Sequence, residues 1–338
     1  MRIEENYSLL KHNTFHLPVK TRWFVEYENE EELGRILRDE YFQECISLHI
    51  GSGSNLLFIN DYNGIIFHSL IKGVELIDED EDTVLLRIGA AEIWDDVVAY
   101  VVSKGWGGIE NLSGIPGETG AAAVQNIGAY GVEIKDVIET VEAYNQLSFE
   151  RYIFTKEECS YGYRHSIFKD GDNDPHIITH ITIRLDKKPV YTLHYGNLKE
   201  IAAKYPEATL HDIREAVVAI REEKLPAPSI IGNAGSFFTN PFITSEHCGK
   251  LKAAYPDIPS YPASDDNKVK IPAAWLIEQC GFKGKNHGQV GVYEKQALVL
   301  TNLGNATGHE IALVAESIRA AVRERFDIEL VPEVKYVG

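Results

Sequence analysis

The stretch Gly114-Ile115-Pro116-Gly117-Glu118-Thr119-Gly120-Ala121-Ala122-Ala123, continued by Gln125-Asn126-Ile127-Gly128-Ala129-Tyr130-Gly131, decides how the rest of the chain is read. So many glycines and alanines in one run imply backbone lying against something flat or highly charged, because a larger side chain would hold the two apart. A bulky cofactor is the natural candidate. A second run, Ile50-Gly51-Ser52-Gly53-Ser54-Asn55, follows a strand-like segment, and its small residues let successive backbone N–H groups converge on an anion such as a phosphate. The competing reading of this short run is an ordinary turn at a strand exit. Neither run has the Gly-x-Gly-x-x-Gly spacing that opens a helix in a dinucleotide fold, and neither carries Gly-Lys-Ser/Thr, so those two nucleotide folds are disfavoured.

Outward from these runs, residues 31–37 read as a helix and 46–50 and 64–68 as strands, which suits a compact α/β unit. Residues 73–77 and 84–88 read as two short strands around the acidic turn 78–82, followed by a helix over 94–104. The segment 176–185 places Ile177, Thr179, Ile181, Ile183 and Leu185 on one strand face. Helical patterns cover 197–205 and 210–224, and Pro226 and Pro228 punctuate the chain after them, marking a domain boundary. Thr307 and Glu310 form a capping box ahead of Ile311, Val314, Ile318 and Val322 at helical spacing. The tail 328–338 reads as a strand interrupted at Pro332.

The 338 residues carry 33 Lys+Arg against 51 Asp+Glu, a net charge of −18, with 44% hydrophobic residues. That balance excludes a disordered chain, and it disfavours nucleic acid as a partner because polyanion binding needs a basic face. A single anionic small molecule is compatible, since a few local cations outweigh a distant negative field. No apolar run approaches the roughly 18 to 20 residues that span a bilayer, and residues 1–17 are polar without a signal-peptide core, so a cytoplasmic protein is expected. Cys45, Cys159, Cys248 and Cys280 are scattered and the histidines form no ligand motif, so neither a disulfide framework nor a metal is expected.

Six ordered segments resemble one family, the UDP-N-acetylenolpyruvoylglucosamine reductases (MurB): Asn13-Thr14-Phe15, residues 51–55, residues 116–131, Tyr163-Arg164-His165-Ser166-Ile167-Phe168, Gly232-Asn233-Ala234-Gly235-Ser236-Phe237-Phe238-Thr239-Asn240-Pro241, and Pro332-Glu333-Val334. The resemblance runs end to end. It implies a three-domain α/β (α+β) flavoprotein. Residues 1–70 and 71–220 would form an FAD-binding pair of the vanillyl-alcohol-oxidase type, 221–325 a substrate-binding α+β domain, and 326–338 a strand returning to the active site. Tyr191-Thr192-Leu193-His194-Tyr195-Gly196-Asn197-Leu198 is similar to the extra segment of the longer class in that family, which carries a substrate-contacting tyrosine.

The reaction so implied uses NADPH to reduce FAD, and hydride then passes to C3 of the enolpyruvyl ether of UDP-N-acetylglucosamine, giving UDP-N-acetylmuramate for peptidoglycan. Charge left at C2 spreads onto the carboxylate, so the site needs a cation and a proton donor. The resemblance assigns the cation to Arg164, whose guanidinium can hold a carboxylate through two parallel bonds, and the proton to Ser236. It assigns to Glu333 either polarisation of the enolate, if protonated, or orientation of Arg164, if ionised. Ser236 lacks a Gly-x-Ser-x-Gly elbow, which argues against a hydrolase nucleophile. FAD contacts fall on Gly51, Ser52, Gly53, Ser54, Asn55, Gly117, Gly120, Ala121, Gln125, Asn126, Ile127, Gly128 and Ala129, and substrate contacts on Tyr163, Tyr195, Lys224, Asn240, Tyr261, Lys270 and Gln296. His165 stands where the family places an aspartate or another small polar residue. The expected partners are a UDP-sugar and NADPH, with no membrane insertion, acting on a monomer. A flavin oxidase of the same superfamily and a non-catalytic nucleotide-binding module are the rival readings.

Overall fold

The computed structural model describes residues 1–169, 175–193, 198, 208–263 and 265–338. The chain divides into two compact units, one from residues 1–7, 21–53 and 63–223, the other from 8–20, 54–62 and 224–338. The first contains a five-stranded antiparallel sheet in the order Arg151–Thr155, Ile138–Asn145, His176–Asp186, Thr83–Gly89, Val74–Glu79. Its centre is the strand His176–Asp186, where the expected face of Ile177, Thr179, Ile181, Ile183 and Leu185 is buried. Ile178 and Thr182 on the opposite face are buried as well, so this strand is covered on both sides. The helix Trp94–Ser103 supplies Trp94, Val97, Val98 and Val101 to the same core. The indole of Trp94 donates to the Leu112 carbonyl at 3.0 Å, which satisfies the one polar atom the ring buries.

A second sheet in this unit orders Arg2–Ser8, Lys20–Tyr27, Tyr62–Ser69 and Ser47–Ile50, the last two parallel. The helix Glu30–Leu37, capped by the Asn29 side chain accepting from the Glu32 N–H at 2.9 Å, packs Leu33, Ile36 and Leu37 with Ile65 and Phe67. The parallel pair aims the exit of Ser47–Ile50 into the glycine run that follows it.

The second unit is built on a four-stranded sheet ordered Gly232–Ser236, Val299–Asn302, Val290–Val292, Asn286–His287. A three-stranded sheet of Phe242–Thr244, Lys268–Lys270 and Tyr261–Pro262 accompanies it. The helix Gly308–Phe326 buries Ile311, Val314, Ile318 and Val322, and the expected capping box is present: Thr307 Oγ1 accepts from the Glu310 N–H at 3.2 Å while the Glu310 carboxylate accepts from the Thr307 N–H at 2.8 Å.

The tail corrects one expectation. A strand forms only over Lys335–Val337, parallel to Leu56–Phe58, and Pro332 contributes an isolated bridge to Phe238. Ile328 and Leu330 turn into the core instead of continuing a ladder, and Pro332 has no N–H to give one. The helix read over 197–205 falls, apart from Leu198, outside the described residues. Among the described residues no helix is long and apolar enough to cross a membrane. Because the capping box closes two otherwise orphaned amide donors, Thr307→Ala is expected to lower stability by about 1 kcal/mol in chemical denaturation.

Candidate active site

The small-residue segment becomes the helix Thr119–Gln125, which packs against the central strand His176–Asp186 and stops at Asn126 in the left-handed region, φ 42°. Asn126 is fully buried and works in three directions. Its amide donates to the Gly162 carbonyl at 2.7 Å and to Glu133 at 3.2 Å, and its Oδ1 accepts from the Lys135 N–H at 3.2 Å. The Gly162 bond fastens a second element onto the segment. Gly162 and His165 exchange both backbone hydrogen bonds, at 3.0 and 3.1 Å, so Tyr163 and Arg164 form the tip of a two-residue turn.

Arg164 sits at φ 54°, a conformation a side chain with a Cβ adopts only at a cost. The turn is held by Ser166 Oγ donating to the Val124 carbonyl at 2.7 Å and by Lys169 Nζ donating to the Arg164 carbonyl at 2.9 Å. The guanidinium is held too: Nη2 donates to the Gly128 carbonyl at 2.7 Å, Nη1 to the Asn126 carbonyl at 3.4 Å, and the cation lies 5.4 Å from the centroid of the Tyr163 ring. The structure therefore brings Tyr163, Arg164, Asn126 and Gly128 together. His165, at the base of the turn, is exposed.

Gln125 Oε1 and Asn111 Oδ1 are buried without a hydrogen-bond partner, although the Asn111 amide donates to the Tyr130 carbonyl at 3.0 Å. Buried acceptors left in this state call for a donor from a bound molecule. Beside them, Arg221 donates to the Gly114 carbonyl at 3.0 Å. Burial pulls its pKa down, Tyr130 and Asp95 oppose that, and Arg164 adds to it. Two guanidiniums so placed favour an anion. Arg221 had no signal in the sequence, since it lies in the last turn of the helix Leu210–Lys224 and is followed by two glutamates.

At the other glycine run, Ser52 Oγ donates to Glu118 Oε1 at 2.8 Å, and Glu118 in turn faces His68. The side chains of Glu118 and His68 were not singled out from sequence. A glutamate inside a glycine-rich stretch and a histidine inside an apolar strand are the signals that could have found them.

In the second unit Ser236 ends the strand Gly232–Ser236 just after a bulge, its backbone pairing with Val299. Gly235 adopts φ 66° there, and a Cβ on it would meet open space, so glycine is required by conformation and not by crowding. Asn233, 2% exposed, accepts from the Gly235 N–H at 2.9 Å and pins the bulge. The irregularity lies between Asn233 and Ser236, and Ser236 rejoins the ladder opposite Val299 directly after it. The strand is braced by the Asn13-Thr14-Phe15 segment: the Asn233 N–H donates to the Thr14 carbonyl at 2.9 Å and the Asn302 amide to the Phe15 carbonyl at 2.8 Å. Glu333 donates its N–H to the carbonyl of Phe237, the residue after Ser236, at 2.8 Å, and accepts at its own carbonyl from the Asn55 amide at 3.1 Å. Ser236, Glu333 and Asn55 are thus neighbours through the backbone.

Tyr261 and Lys270 are register partners in the three-stranded sheet. Gln296 stands in the turn leading to Val299, its Oε1 accepting from the Leu298 N–H at 3.3 Å. Asn240 uses its Oδ1 to accept from the Ala273 N–H at 2.9 Å, capping the helix Ala273–Gln279. Lys224 is the half-buried last residue of the helix Leu210–Lys224. Tyr195 lies outside the described residues.

Residues 21–146 match the family described as FAD binding domain, and residues 226–337 match the UDP-N-acetylenolpyruvoylglucosamine reductase C-terminal domain. The fold and these two matches define an FAD-containing oxidoreductase. Over 338 residues, 100% of both chains, the sequence is 48% identical to UDP-N-acetylenolpyruvoylglucosamine reductase of Porphyromonas gingivalis. It is 48% identical over 335 residues, 99% of this chain and 100% of the relative, to that of Bacteroides fragilis. The crystal structure of the reductase (MurB) from Thermus caldophilus shares the fold over 100% of both chains, with TM-score 0.71 at 21% identity. The chain belongs to the UDP-N-acetylenolpyruvoylglucosamine reductase family.

Since the bulge depends on a left-handed residue, Gly235→Ala is expected to lower stability by about 1 kcal/mol, measured by denaturant unfolding of the flavin-free protein.

Proposed function

We propose that this protein reduces UDP-N-acetylglucosamine enolpyruvate to UDP-N-acetylmuramate with NADPH, and that it is the longer-class enzyme of its family, with Tyr195 as a substrate contact. The observation that supports the reading is the backbone bond from the Glu333 N–H to the carbonyl of Phe237, the residue following Ser236, which ties together the two segments that carry Ser236 and Glu333. FAD, when bound, carries the hydride from NADPH to C3. The residues of the glycine runs fit that cofactor. Gln125 Oε1 and Asn111 Oδ1 wait for donors, which the ring N–H of an isoalloxazine can supply, and the main chain of Gly117, Gly120, Ala121, Asn126, Ile127, Gly128 and Ala129 offers a surface free of bulky groups. Gly51, Ser52, Gly53, Ser54 and Asn55 take the diphosphate.

Arg164 holds the substrate carboxylate and stabilises the charge that reaches it from C2. Its fixed position matters because a guanidinium already immobilised by Gly128 loses little freedom when the anion arrives. Ser236 gives its hydroxyl proton to C2, which requires the alkoxide left behind to be stabilised, and Lys224 is the cation assigned to do so; Glu333 polarises the enolate if protonated or orients Arg164 if ionised. Tyr163, Lys270, Tyr261 and Gln296 orient the sugar nucleotide, and the Asn240 amide faces the uridine end. In this reading residues 1–70 and 71–220 clasp FAD, 221–325 receive substrate and 326–338 return to the site. The enzyme acts as a cytoplasmic monomer.

Only the second half-reaction needs the proton, so stopped-flow absorbance separates the roles. Ser236→Ala is expected to leave flavin reduction by NADPH near the wild-type rate and to slow reoxidation by the enolpyruvyl substrate by a factor of about 1,000 or more. Equal slowing of both halves would contradict the assignment.

A further inference from the structure

If the Gly51-Ser52-Gly53 arm receives the flavin diphosphate, a reading on which this inference rests, a buried carboxylate beside it needs an explanation. Glu118 is 7% exposed, accepts from the Ser52 hydroxyl at 2.8 Å, and has its Oε2 2.9 Å from where a Cβ on Gly51 would stand. A bare carboxylate at that distance from the arm repels a diphosphate. Its charge is met by His68, on the strand Tyr62–Ser69, whose Nε2 lies 3.4 Å from Glu118 Oε1 while Nδ1 lies 3.1 Å from Glu26 Oε1 on the strand Lys20–Tyr27. Arg2, from the edge strand Arg2–Ser8, donates to the other Glu26 oxygen at 3.0 Å. Phe24 stacks on the imidazole with centroids 6.1 Å apart, and the Tyr27 phenol also feels Glu118. Arg2 also donates to Glu4 Oε1 at 2.6 Å, so its charge is divided between Glu4 and Glu26, and Glu118 is neutralised only when the imidazole of His68 carries its proton.

We propose that protonated His68 is a positioning residue for FAD: by neutralising Glu118 it lets that carboxylate hold the Ser52 hydroxyl while a diphosphate lies against the same loop. Burial opposes the charge on His68, but its bonds to Glu118 and Glu26 outweigh burial and raise its pKa. Burial likewise opposes ionisation of Glu26, and the bonds from His68 and Arg2 outweigh it and hold that carboxyl below its usual range. The sign follows. A raised imidazole pKa means that the charge is complete below the ordinary histidine range and is lost as pH rises through the raised value, so FAD affinity declines on the alkaline side.

The test is titration of flavin-stripped protein with FAD, followed by flavin fluorescence between about pH 6 and 9, with circular dichroism confirming the fold. Near the acidic end, where wild-type His68 carries its proton, His68→Asn is expected to weaken FAD about tenfold, and adding Glu118→Gln to restore affinity to within about twofold of wild type; at the alkaline end the single variant and wild type converge. The wild-type decline with pH disappears in the double variant. At the acidic end, His68→Asn binding FAD as tightly as wild type, or a double variant as weak as the single one, overturns the proposal. If His68→Asn does not fold, Glu118→Gln alone decides: pH-independent affinity supports the proposal, and the wild-type decline overturns it. Gly53→Ala, which forces a Cβ onto φ 66°, tests the underlying reading separately. Weakening by Gly53→Ala without any effect of His68→Asn leaves the diphosphate arm standing and removes His68 from it; no effect of either removes both.

Discussion

Keeping a non-glycine residue in the left-handed region costs about 1 kcal/mol or more, and Arg164 stays there only because its turn is tied down on every side. Asn126 holds Gly162, Ser166 holds Val124, and Gly128 holds the guanidinium itself. Each of those partners belongs to the small-residue segment or its helix. The arginine and the segment are therefore one rigid assembly, and the small-residue surface and the guanidinium are fixed by the same bonds. The left-handed Asn126 that ends the helix is the residue on which both depend.

A comparable device operates in the second unit. There the irregularity is a bulge, stabilised by the buried Asn233 and by Gly235 at positive φ, directly before Ser236 rejoins the ladder opposite Val299. The residue after it, Phe237, is fully buried and packs near Phe15 and Tyr336, so the serine hangs from a core anchor and not from a mobile loop. In each unit a residue at positive φ is thus held by buried hydrogen bonds, so the backbone that carries Arg164 and that which carries Ser236 are both fixed by their packing.

Much of this was legible in the sequence because the relevant signals are local. The Thr307–Glu310 capping box, the alternation through residues 176–185 and the glycine runs each carry their own physical rule, and each reappears in the structure. Other elements were hidden for identifiable reasons. Ile138–Asn145 breaks period-two alternation at two register shifts, so its strand pattern cannot be read from spacing. Arg2–Ser8 is an exposed polar edge strand with almost no buried face. The tail was overread as one strand because its apolar residues alternate, whereas Ile328 and Leu330 enter the core. Ser236, Arg164 and Glu333 were reached through resemblance to a family, not through chemistry visible in the residues alone. The unusual setting of Glu118 and of His68 could have drawn notice, but their contact with each other and with Glu26 joins positions far apart in the chain and has no local pattern.

The central claim is that the flavin lies against the small-residue segment to which the arginine turn is fastened. Hydrogen–deuterium exchange read by mass spectrometry, comparing flavin-stripped protein with and without FAD, addresses that claim directly, since a seated ring and diphosphate suppress local opening of the backbone they cover. Slowed exchange is expected in peptides covering 51–55, 117–129 and 162–166. Unchanged exchange in 117–129 and 162–166, with protection appearing elsewhere in the chain, would contradict it.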